Sequence, residues 1–475
     1  MNVRLIPSLE KDPILLAHCK RAAGQWALLA VFSLLLIVFG REWLAVAAFL
    51  ALTTAFPSHR RRVISAFSIL VALALPNWLD LPFLDHVAAQ EGLANVPGFV
   101  IRLVVAAVFV LLAGLAALAF RFPRQLATRR PVLATILCFC ALVAAVSLAP
   151  LAGWSRVAAW IAVLAIARMF WFFCYTLADR GSGNHRDSVP LQAGLWRPAW
   201  MANTASGTPF AKGAAYLRKI EAQNPDELAV TQLKGLKLLV WALILQMALI
   251  CYHLVIYRKL GIPEFESAFG RSCAGHPFPW YWNCLSLVAV FFSNLLQASI
   301  WGHQIVACLR MAGFRALRNT YRPLESRSLA EFWNRFYFYF KELLVDMFFY
   351  PTYLRYFKKH PRLRMAAATM MAACVGNAIF HFLRDISVVG ELGWWRAIAS
   401  FQTYLFYTFV LGVSISISQL RAQRKDDRSH SWLRRRLVPI LCVSAFYCVM
   451  RIFDDSNRTY GLREHFIFVG RLFGL

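Results

Sequence analysis

The chain has 475 residues, of which 59% are hydrophobic and 16% charged, and its formal net charge is +27. Soluble domains carry about 25% charged residues, so this composition excludes an ordinary soluble protein. The 51 Lys and Arg residues lie mainly in short loops between apolar runs, as the positive-inside rule describes. The sequence therefore predicts an all-α polytopic membrane protein with lipids as neighbours and no nucleic-acid partner.

The N-terminal region alternates short apolar runs with basic stretches. Residues 1–24 place apolar and basic side chains on different sides and predict an interfacial helix. The apolar runs at 26–39 and 44–56 are both short and predict a hairpin or a partly re-entrant element. The basic stretch at 57–62 predicts a cytoplasmic anchor, and we expect the N-terminus in the cytoplasm.

The remaining spans follow at regular intervals, and the chain is predicted to form a single membrane-embedded domain over residues 1–475 with about eleven spans. The longest polar segment, 179–234, is expected in the cytoplasm with a helix at 211–228. No internal repeat is apparent, so the inverted repeats of many transporters are not indicated. The further spans are predicted at 63–79, 99–120, 132–148, 157–178, 236–257, 284–309, 364–382, 395–420 and 437–453.

One polar and aromatic segment interrupts the apolar pattern. Residues 328–336 read Ser-Leu-Ala-Glu-Phe-Trp-Asn-Arg-Phe, which is too charged to span a bilayer. Further on, the apolar run at 364–382 ends in Gly-Asn-Ala-Ile-Phe-His, with the histidine at His381. An ionisable side chain at membrane depth is costly and usually serves a function. Residues 321–385 are therefore the predicted catalytic region.

This region resembles the membrane-bound O-acyltransferase family. Bacterial members carry Arg-Pro, then Ser-Ile/Leu-x-Glu-Phe-Trp-Arg-Arg-Trp-His, and then Asp-Tyr-Leu-Tyr-x-Pro. The resemblance implies a helical bundle around a central cavity, with His381, near the end of a later apolar helix, as the catalytic residue. The matching positions are Arg322, Pro323, Ser328, Leu329, Glu331, Phe332, Trp333, Arg335, Asp346 and Pro351.

Two departures from the family pattern affect the site. The second polar position, His or Asn in the family, is Tyr337, and Phe336 stands where the family has tryptophan. Phe382 follows the histidine in place of glycine. Tyrosine can still donate or accept a hydrogen bond, and Asn334 or Asn377 are alternatives for its role. The departures leave open a divergent acceptor, a changed mechanism or a catalytically inactive relative.

Acyl transfer from a thioester to a hydroxyl requires a base, and an imidazole with a pKa near about 6.5 suits that role. The predicted catalytic residues are His381 and Tyr337, with no metal. The aromatic residues of 328–357 are expected to line a slot for an acyl chain or pantetheine arm, and Arg335 and Lys341 to attract the donor's phosphates from the cytoplasmic side. The supporting residues are Trp333, Asn334, Arg335, Asp346 and Asn377.

The resemblance implies an O-acyltransferase of the bacterial inner membrane. It would move an acetyl or other short acyl group from a cytoplasmic acyl-CoA or acyl-carrier thioester to a hydroxyl of a polysaccharide, cell-envelope polymer or lipid. The thioester is a co-substrate, and no bound cofactor is expected. The alternative is a catalytically inactive scaffold or transporter with the same fold. A scaffold acting with an envelope partner protein is a third possibility.

Overall fold

The computed structural model describes residues 6–122, 125–183, 187–422, 436–454, 458 and 460–475. Within these residues the chain is all helical, without a strand, and one isolated bridge joins Glu221 to Phe314. The all-α prediction is confirmed for the described part of the chain. Contacts divide the chain into two compact units, and the prediction of one domain over 1–475 stays a prediction. The first unit comprises Met1–Val240, His303–Leu317 and Leu383–Trp394; the second comprises Trp241–Gly302, Arg318–Phe382 and Trp395–Leu475.

The helices are numbered in chain order. The first twelve are α1 (Pro13–Cys19), α2 (Ala22–Ile37), α3 (Leu44–Ala55), α4 (Arg60–Ala74), α5 (Leu81–Gln90), α6 (Gly98–Arg121), α7 (Leu126–Arg129), α8 (Pro131–Leu148), α9 (Trp154–Gly181), α10 (Val189–Trp196), α11 (Ala214–Ile220) and α12 (Pro225–His253). The others are α13 (Phe265–Cys273), α14 (Trp280–Met311), α15 (Leu329–Phe336), α16 (Phe338–Leu344), α17 (Tyr350–Arg355), α18 (Pro361–Met370), α19 (Asn377–Arg384), α20 (Ser387–Leu392), α21 (Trp394–Ser400), α22 (Gln402–Ala422), α23 (Val438–Met450) and α24 (Leu462–Arg471).

Shorter helical pieces connect or extend these helices. Among the described residues, complete π-helical segments lie at Leu254–Lys259, Val345–Phe349 and Met371–Gly376. The 3₁₀ turns lie at Leu9–Lys11, Arg41–Trp43, Pro57–His59, Pro76–Trp78, Ala199–Met201, Pro323–Glu325 and Arg451–Phe453.

Seven helices or helix runs in the described residues are long and apolar enough to cross a membrane, or eight if α1 and α2, which meet at 100°, form one bent span. The chain is thus a helical protein suited to a membrane, while the predicted total of about eleven spans is not confirmed. The seven are Gly98–Arg121, Pro131–Leu148, Trp154–Gly181, Pro225–Lys259, Trp280–Met311, Pro361–Arg384 and Gln402–Arg421.

The difference in number comes from helix length. The runs predicted as spans at 44–56, 63–79 and 437–453 form α3, α4 and α23, with 12, 15 and 13 residues. At 1.5 Å per residue these helices are about 18–23 Å long. A bilayer core is about 30 Å thick, so none of them crosses it alone.

Two predicted helices are broken in the structure. The interfacial helix predicted at 1–24 is helical only from Pro13 to Cys19 before α2 begins, and residues 1–5 lie outside the described part. Asp12 starts α1 by accepting hydrogen bonds from two backbone N–H groups, at 2.9 and 3.1 Å. Chain direction then changes at Lys20 and Arg21, where the bend lies.

The helix predicted at 211–228 is interrupted at residues 221–224, between α11 and α12. Asn224 accepts a hydrogen bond from the backbone N–H of Glu227 at 2.8 Å. Pro225 follows at the first helical position, where its missing N–H has no intrahelical partner to lose. This cap and proline fix a new helix start that apolar periodicity alone does not reveal. Most of the basic loop predicted at 421–436 lies outside the described residues.

Each unit has its own packed centre. In the first unit, α9 packs against α5, α6 and α8 and is buried along most of its length. In the second unit, α22 packs against α15, α18 and the π segment Met371–Gly376. The π segment Met371–Gly376 also contacts the π segment Val345–Phe349. The predicted catalytic region therefore folds around α22, and the elements that carry its residues pack on one another.

Candidate functional site

The start of α15 is fixed by its own polar residues. The Ser328 hydroxyl accepts a hydrogen bond from the backbone N–H of Glu331 at 3.1 Å, which is the usual role of a serine N-cap. The Glu331 carboxylate accepts from the backbone N–H of Arg327 at 2.8 Å and pairs with Arg335 at 2.8 Å. The Arg335 guanidinium also lies 3.8 Å from Glu325. Arg335 is thus engaged by carboxylates of its own segment.

An aromatic cluster joins α15 to α16. The backbone leaves helical geometry at Tyr337, with φ −139° and ψ 70°, which separates the two short helices. The Trp333 ring lies 5.8 Å from the Phe340 ring, centroid to centroid, and 6.1 Å from the Tyr447 ring. Phe340 in turn packs against Phe380 of α19 at 4.6 Å. These ring contacts hold α15 and α16 against the helix that carries the predicted histidine.

A cavity of about 300 Å³ lies beside this cluster, and we call it the larger cavity. Its walls come from α15, α16, both neighbouring π segments, α17, α18, α19 and α22, all in the second unit. The predicted residues Trp333, Asn334 and Asn377 line it, as do the aromatic side chains of the predicted slot. The lining residues are Ala330, Trp333, Asn334, Phe340, Lys341, Glu342, Leu344, Val345, Phe349, Tyr350, Thr369, Ala372, Ala373, Asn377, Leu411, Ile415 and Gln419.

The polar side chains that line the larger cavity differ in whether they form hydrogen bonds or ion pairs within the protein. The Thr369 hydroxyl donates to the Gln419 side-chain oxygen at 2.6 Å, and Lys341 forms an ion pair with Glu342. Asn377 is 1% exposed, and its Oδ1 has no hydrogen-bond partner among the described residues. Buried amide oxygens are nearly always paired. An amide in this state, at a cavity wall, is placed to accept a hydrogen bond from a bound molecule.

The backbone before Asn377 explains its position. The π segment Met371–Gly376 ends immediately before it, and π-helical turns shift the side chains that follow and occur frequently at functional sites. Gly376 lets the Phe348 ring approach the helix closely, since a Cβ at this position would lie 2.6 Å from that ring. The close approach of the two π segments thus depends on this glycine.

His381 lies one helical turn after Asn377 on α19, so the two side chains leave the same side of the helix. Its ring stacks on the Tyr404 ring with centroids 4.5 Å apart and an interplanar angle of 27°. Tyr337 packs edge-on against Trp301, with centroids 5.4 Å apart. Neither His381 nor Tyr337 is among the residues that line the larger cavity.

Two phenylalanine rings link the predicted catalytic pair through ring contacts. The contacts run from Tyr337 to Phe340 at 5.5 Å, from there to Phe380 at 4.6 Å, and then to His381 at 5.9 Å. The structure therefore brings His381 and Tyr337 into one aromatic cluster but not into direct contact along this path.

The second cavity, called the smaller cavity here, has a volume of about 110 Å³. One part is apolar, and another holds the ion pair of Arg451 and Asp454, with nitrogen and oxygen 3.0 Å apart. Among the described lining residues, Trp333 is the one that both cavities share. The lining residues are Phe291, Asn294, Leu295, Phe332, Trp333, Phe336, Tyr407, Tyr447, Met450, Arg451 and Asp454.

Some predicted residues lie outside both cavities, and others were missed. Asp346 is half-buried in the π segment Val345–Phe349 and Arg335 pairs with Glu331; neither lines a cavity. Thr369 and Gln419 line the larger cavity but were not among the predicted site residues. The signal was available, because both are polar residues within predicted spans, where polar side chains tend to face a bundle interior.

The comparisons with known proteins add no family assignment. No protein-family model matches the chain. No curated protein matches it either.

Proposed function

We propose that this protein is a membrane O-acyltransferase whose larger cavity receives the acyl end of a thioester donor and whose general base is His381. The observation that supports the proposal is the buried amide of Asn377. It faces a mostly apolar cavity, its oxygen has no partner among the described residues, and His381 follows one turn later on the same side of α19. A polar group, a base and an apolar chamber are the parts that this reaction needs.

In the proposed reaction, the His381 imidazole takes the proton from an acceptor hydroxyl. The hydroxyl oxygen attacks the thioester carbonyl carbon, and a new C–O bond forms. The tetrahedral oxyanion collapses, the C–S bond breaks, and the leaving thiolate takes the proton from the imidazolium. The Asn377 Oδ1 accepts a hydrogen bond from an N–H group of the donor and so orients the thioester beside the base. The aromatic walls limit the access of water, which would otherwise hydrolyse the thioester.

The proposal requires a movement of the histidine ring. Stacked on Tyr404, His381 does not line the larger cavity. Rotation about its side-chain bonds moves the ring along the side of α19 that also carries Asn377. Such rotamer changes are fast compared with a typical turnover. Donor binding is therefore proposed to draw the ring off Tyr404 and toward the thioester.

The remaining parts of the proposal come from the motif resemblance and charge distribution. The donor is an acyl-CoA or acyl-carrier thioester approaching from the cytoplasm, and the acyl group is acetyl or another short chain. The acceptor is a hydroxyl of a polysaccharide, cell-envelope polymer or lipid. The protein is proposed to reside in the bacterial inner membrane with a cytoplasmic N-terminus. An envelope partner protein would present a polymeric acceptor.

The test uses the purified full chain in lipid nanodiscs with radiolabelled acetyl-CoA. We expect label transfer or slow thioester hydrolysis, and a loss of about 10²–10⁴-fold in His381→Gln, the usual contribution of a general base. His253→Gln is the matched control, because the His253 side chain is exposed and its Nε2 is hydrogen-bonded to the Ser293 hydroxyl at 2.9 Å. Full activity of a folded His381→Gln variant would refute the catalytic assignment.

The rival function is a catalytically inactive scaffold or transporter. The observation that favours it is that neither His381 nor Tyr337 lines the larger cavity. This rival predicts that acyl-CoA binds, if at all, without turnover in the wild type and in the His381→Gln variant alike. The same assay therefore separates the two functions.

A further inference from the structure

Trp333 lies between the larger and the smaller cavity, both in the second unit. Its side chain lines the larger cavity together with Asn377 and the smaller cavity together with Leu295. The remaining lining residues belong to one cavity or the other. A single indole is thus the common wall of two chambers.

The common wall is held from several directions. The Trp333 ring contacts the rings of Phe340 at 5.8 Å, Phe336 at 6.2 Å and Tyr447 at 6.1 Å. The Tyr447 hydroxyl donates a hydrogen bond to the backbone carbonyl of Leu329 at 2.8 Å, which ties the first turn of α15 to α23. The indole is therefore supported on both sides rather than projecting freely into one chamber.

We propose that Trp333 is the partition that ends the acyl-binding chamber and so sets the length of acyl chain that the protein accepts. This inference rests on the proposed function and adds the specificity of its donor site. With the indole in place, an acyl chain entering the larger cavity stops at the ring. The smaller cavity, with about 110 Å³, is closed to the chain and becomes available only when the wall is shortened.

Shortening the wall has a predictable effect on chain-length preference. Trp333→Ala joins the smaller cavity, with its apolar side chains Phe291, Leu295 and Met450, to the larger one. Each additional methylene that becomes buried tightens binding about fourfold. Two additional buried methylenes therefore raise the preference for octanoyl over acetyl chains by about tenfold or more.

The experiment measures binding of acetyl-, octanoyl- and palmitoyl-CoA to the full chain in nanodiscs, so that it does not depend on turnover. We expect Trp333→Ala to bind octanoyl-CoA more tightly relative to acetyl-CoA than the wild type does, by about tenfold. Trp333→Leu should shift the preference less and in the same direction, and it is the variant to use if alanine impairs folding. Trp395→Ala is the control, because Trp395 is 79% exposed and lines neither cavity.

A second change distinguishes a joined chamber from general loosening. Leu295 lines only the smaller cavity, so Leu295→Trp in the Trp333→Ala background narrows the added space and should move the preference back toward that of the wild type. An unchanged chain-length profile in folded Trp333 variants overturns the partition and leaves the donor site intact. Absence of acyl-CoA binding by the wild type overturns the proposed donor site and the partition with it.

Discussion

Asn377 carries a buried side-chain amide at the wall of the larger cavity, and its position is expected to lower the stability of the fold. Its Oδ1 has no hydrogen-bond partner among the described residues, and an unsatisfied buried polar atom costs about 1–3 kcal/mol. Asn377→Leu, of similar volume and without polar atoms, should therefore keep or raise the melting temperature. The same variant should weaken acyl transfer by up to about tenfold, because the donor loses the one hydrogen bond that Oδ1 accepts from it, worth about 0.5–1.5 kcal/mol.

The measurement pairs a thermal melt in nanodiscs with the radiolabel assay. Asn319→Leu is the matched control: Asn319 is 1% exposed, lines neither cavity, and its Oδ1 accepts a hydrogen bond from the backbone N–H of Tyr339 at 3.3 Å. We expect that variant to lose stability and to retain specific activity in its folded fraction. A large loss of stability in Asn377→Leu would contradict the assignment of Asn377 as a binding group.

For single residues, the sequence predicted which side chains lie at the site better than it predicted their hydrogen bonds and ion pairs. Trp333, Asn334 and Asn377 were predicted to support the site, and all three line the larger cavity. Arg335 was predicted to attract phosphates, but helical spacing brings it to Glu331 at 2.8 Å. The resemblance gives no information on such local pairing, because a family motif records which side chains recur and not which carboxylate each one contacts.

The two adjoining π segments form an element whose geometry depends on one glycine. A Cβ at Gly376 would lie 2.6 Å from the Phe348 ring, closer than two such carbons can approach. Gly376→Ala should therefore push α19 away from Phe348 and cost about 1–3 kcal/mol, as overpacked cores do. We expect a lower melting temperature together with weaker acyl-CoA binding, because Asn377 is the next residue.

Gly412→Ala is the comparison variant for this prediction. A Cβ at Gly412 would meet the Met370 sulfur at 3.0 Å and the Cys374 Cβ at 3.1 Å, and a methionine side chain can move aside. Its loss of stability should be the smaller of the two. Equal effects of the two substitutions on melting temperature and on binding would show that the π segments do not set the position of Asn377.

The connection between α5 and α9 contains a carboxylate with a lowered pKa. Glu91 accepts hydrogen bonds from the backbone N–H of Gly153 and from Arg156, each at 2.7 Å. These bonds favour the charged form, the backbone bond most, and lower the pKa of Glu91 below its ordinary value. The group stabilises the fold above its unfolded-state pKa, and this contribution is lost as the pH falls through the folded-state pKa.

The melting temperature should therefore fall on acidification below the ordinary glutamate range, and less steeply in Glu91→Gln than in the wild type. Thermal melts in nanodiscs over a series of acidic buffers measure this difference. Glu266→Gln is the control because the side chain of Glu266 is exposed, near the start of α13. Parallel pH profiles for the wild type and Glu91→Gln would rule out Glu91 as a source of the acid dependence.

Apolar periodicity predicted the existence of the long helices but not their interruptions. The predicted spans at 99–120 and 132–148 agree within a few residues with Gly98–Arg121 and Pro131–Leu148. The π segment Met371–Gly376 was not predicted, because an extra residue in a turn is stabilised by contacts with distant side chains and leaves no local pattern. The position of Asn377 in the site depends on that unpredicted element.

For the whole molecule, composition indicated the class of protein, and helix length leaves seven or eight candidate spans in the described residues where about eleven were predicted. Hydropathy sums over a run of residues, so α3 and α4 resemble spans in the sequence although they hold 12 and 15 residues. The motif resemblance implied a cavity but not which elements form its walls, because these combine α15 with α22, which are far apart in the chain. Cavities depend on packing between such distant elements, which a single sequence does not specify.

The last prediction concerns whether α2 and α3 cross the membrane. At 16 and 12 residues they are about 24 and 18 Å long, shorter than the apolar core of about 30 Å. We therefore expect α2 and α3 to enter and leave the membrane on the same side. The turn at Arg41 then lies inside the membrane, short of its opposite surface. In sealed vesicles and a cysteine-free background, Arg41→Cys should resist an impermeant maleimide applied from the face opposite to the one that labels Ser58→Cys. The Arg41→Cys thiol should react after the vesicles are dissolved in detergent, which controls for its presence. Labelling from the opposite face in intact vesicles would show that α3, which lies between Arg41 and Ser58, crosses the membrane, and would refute the re-entrant pair.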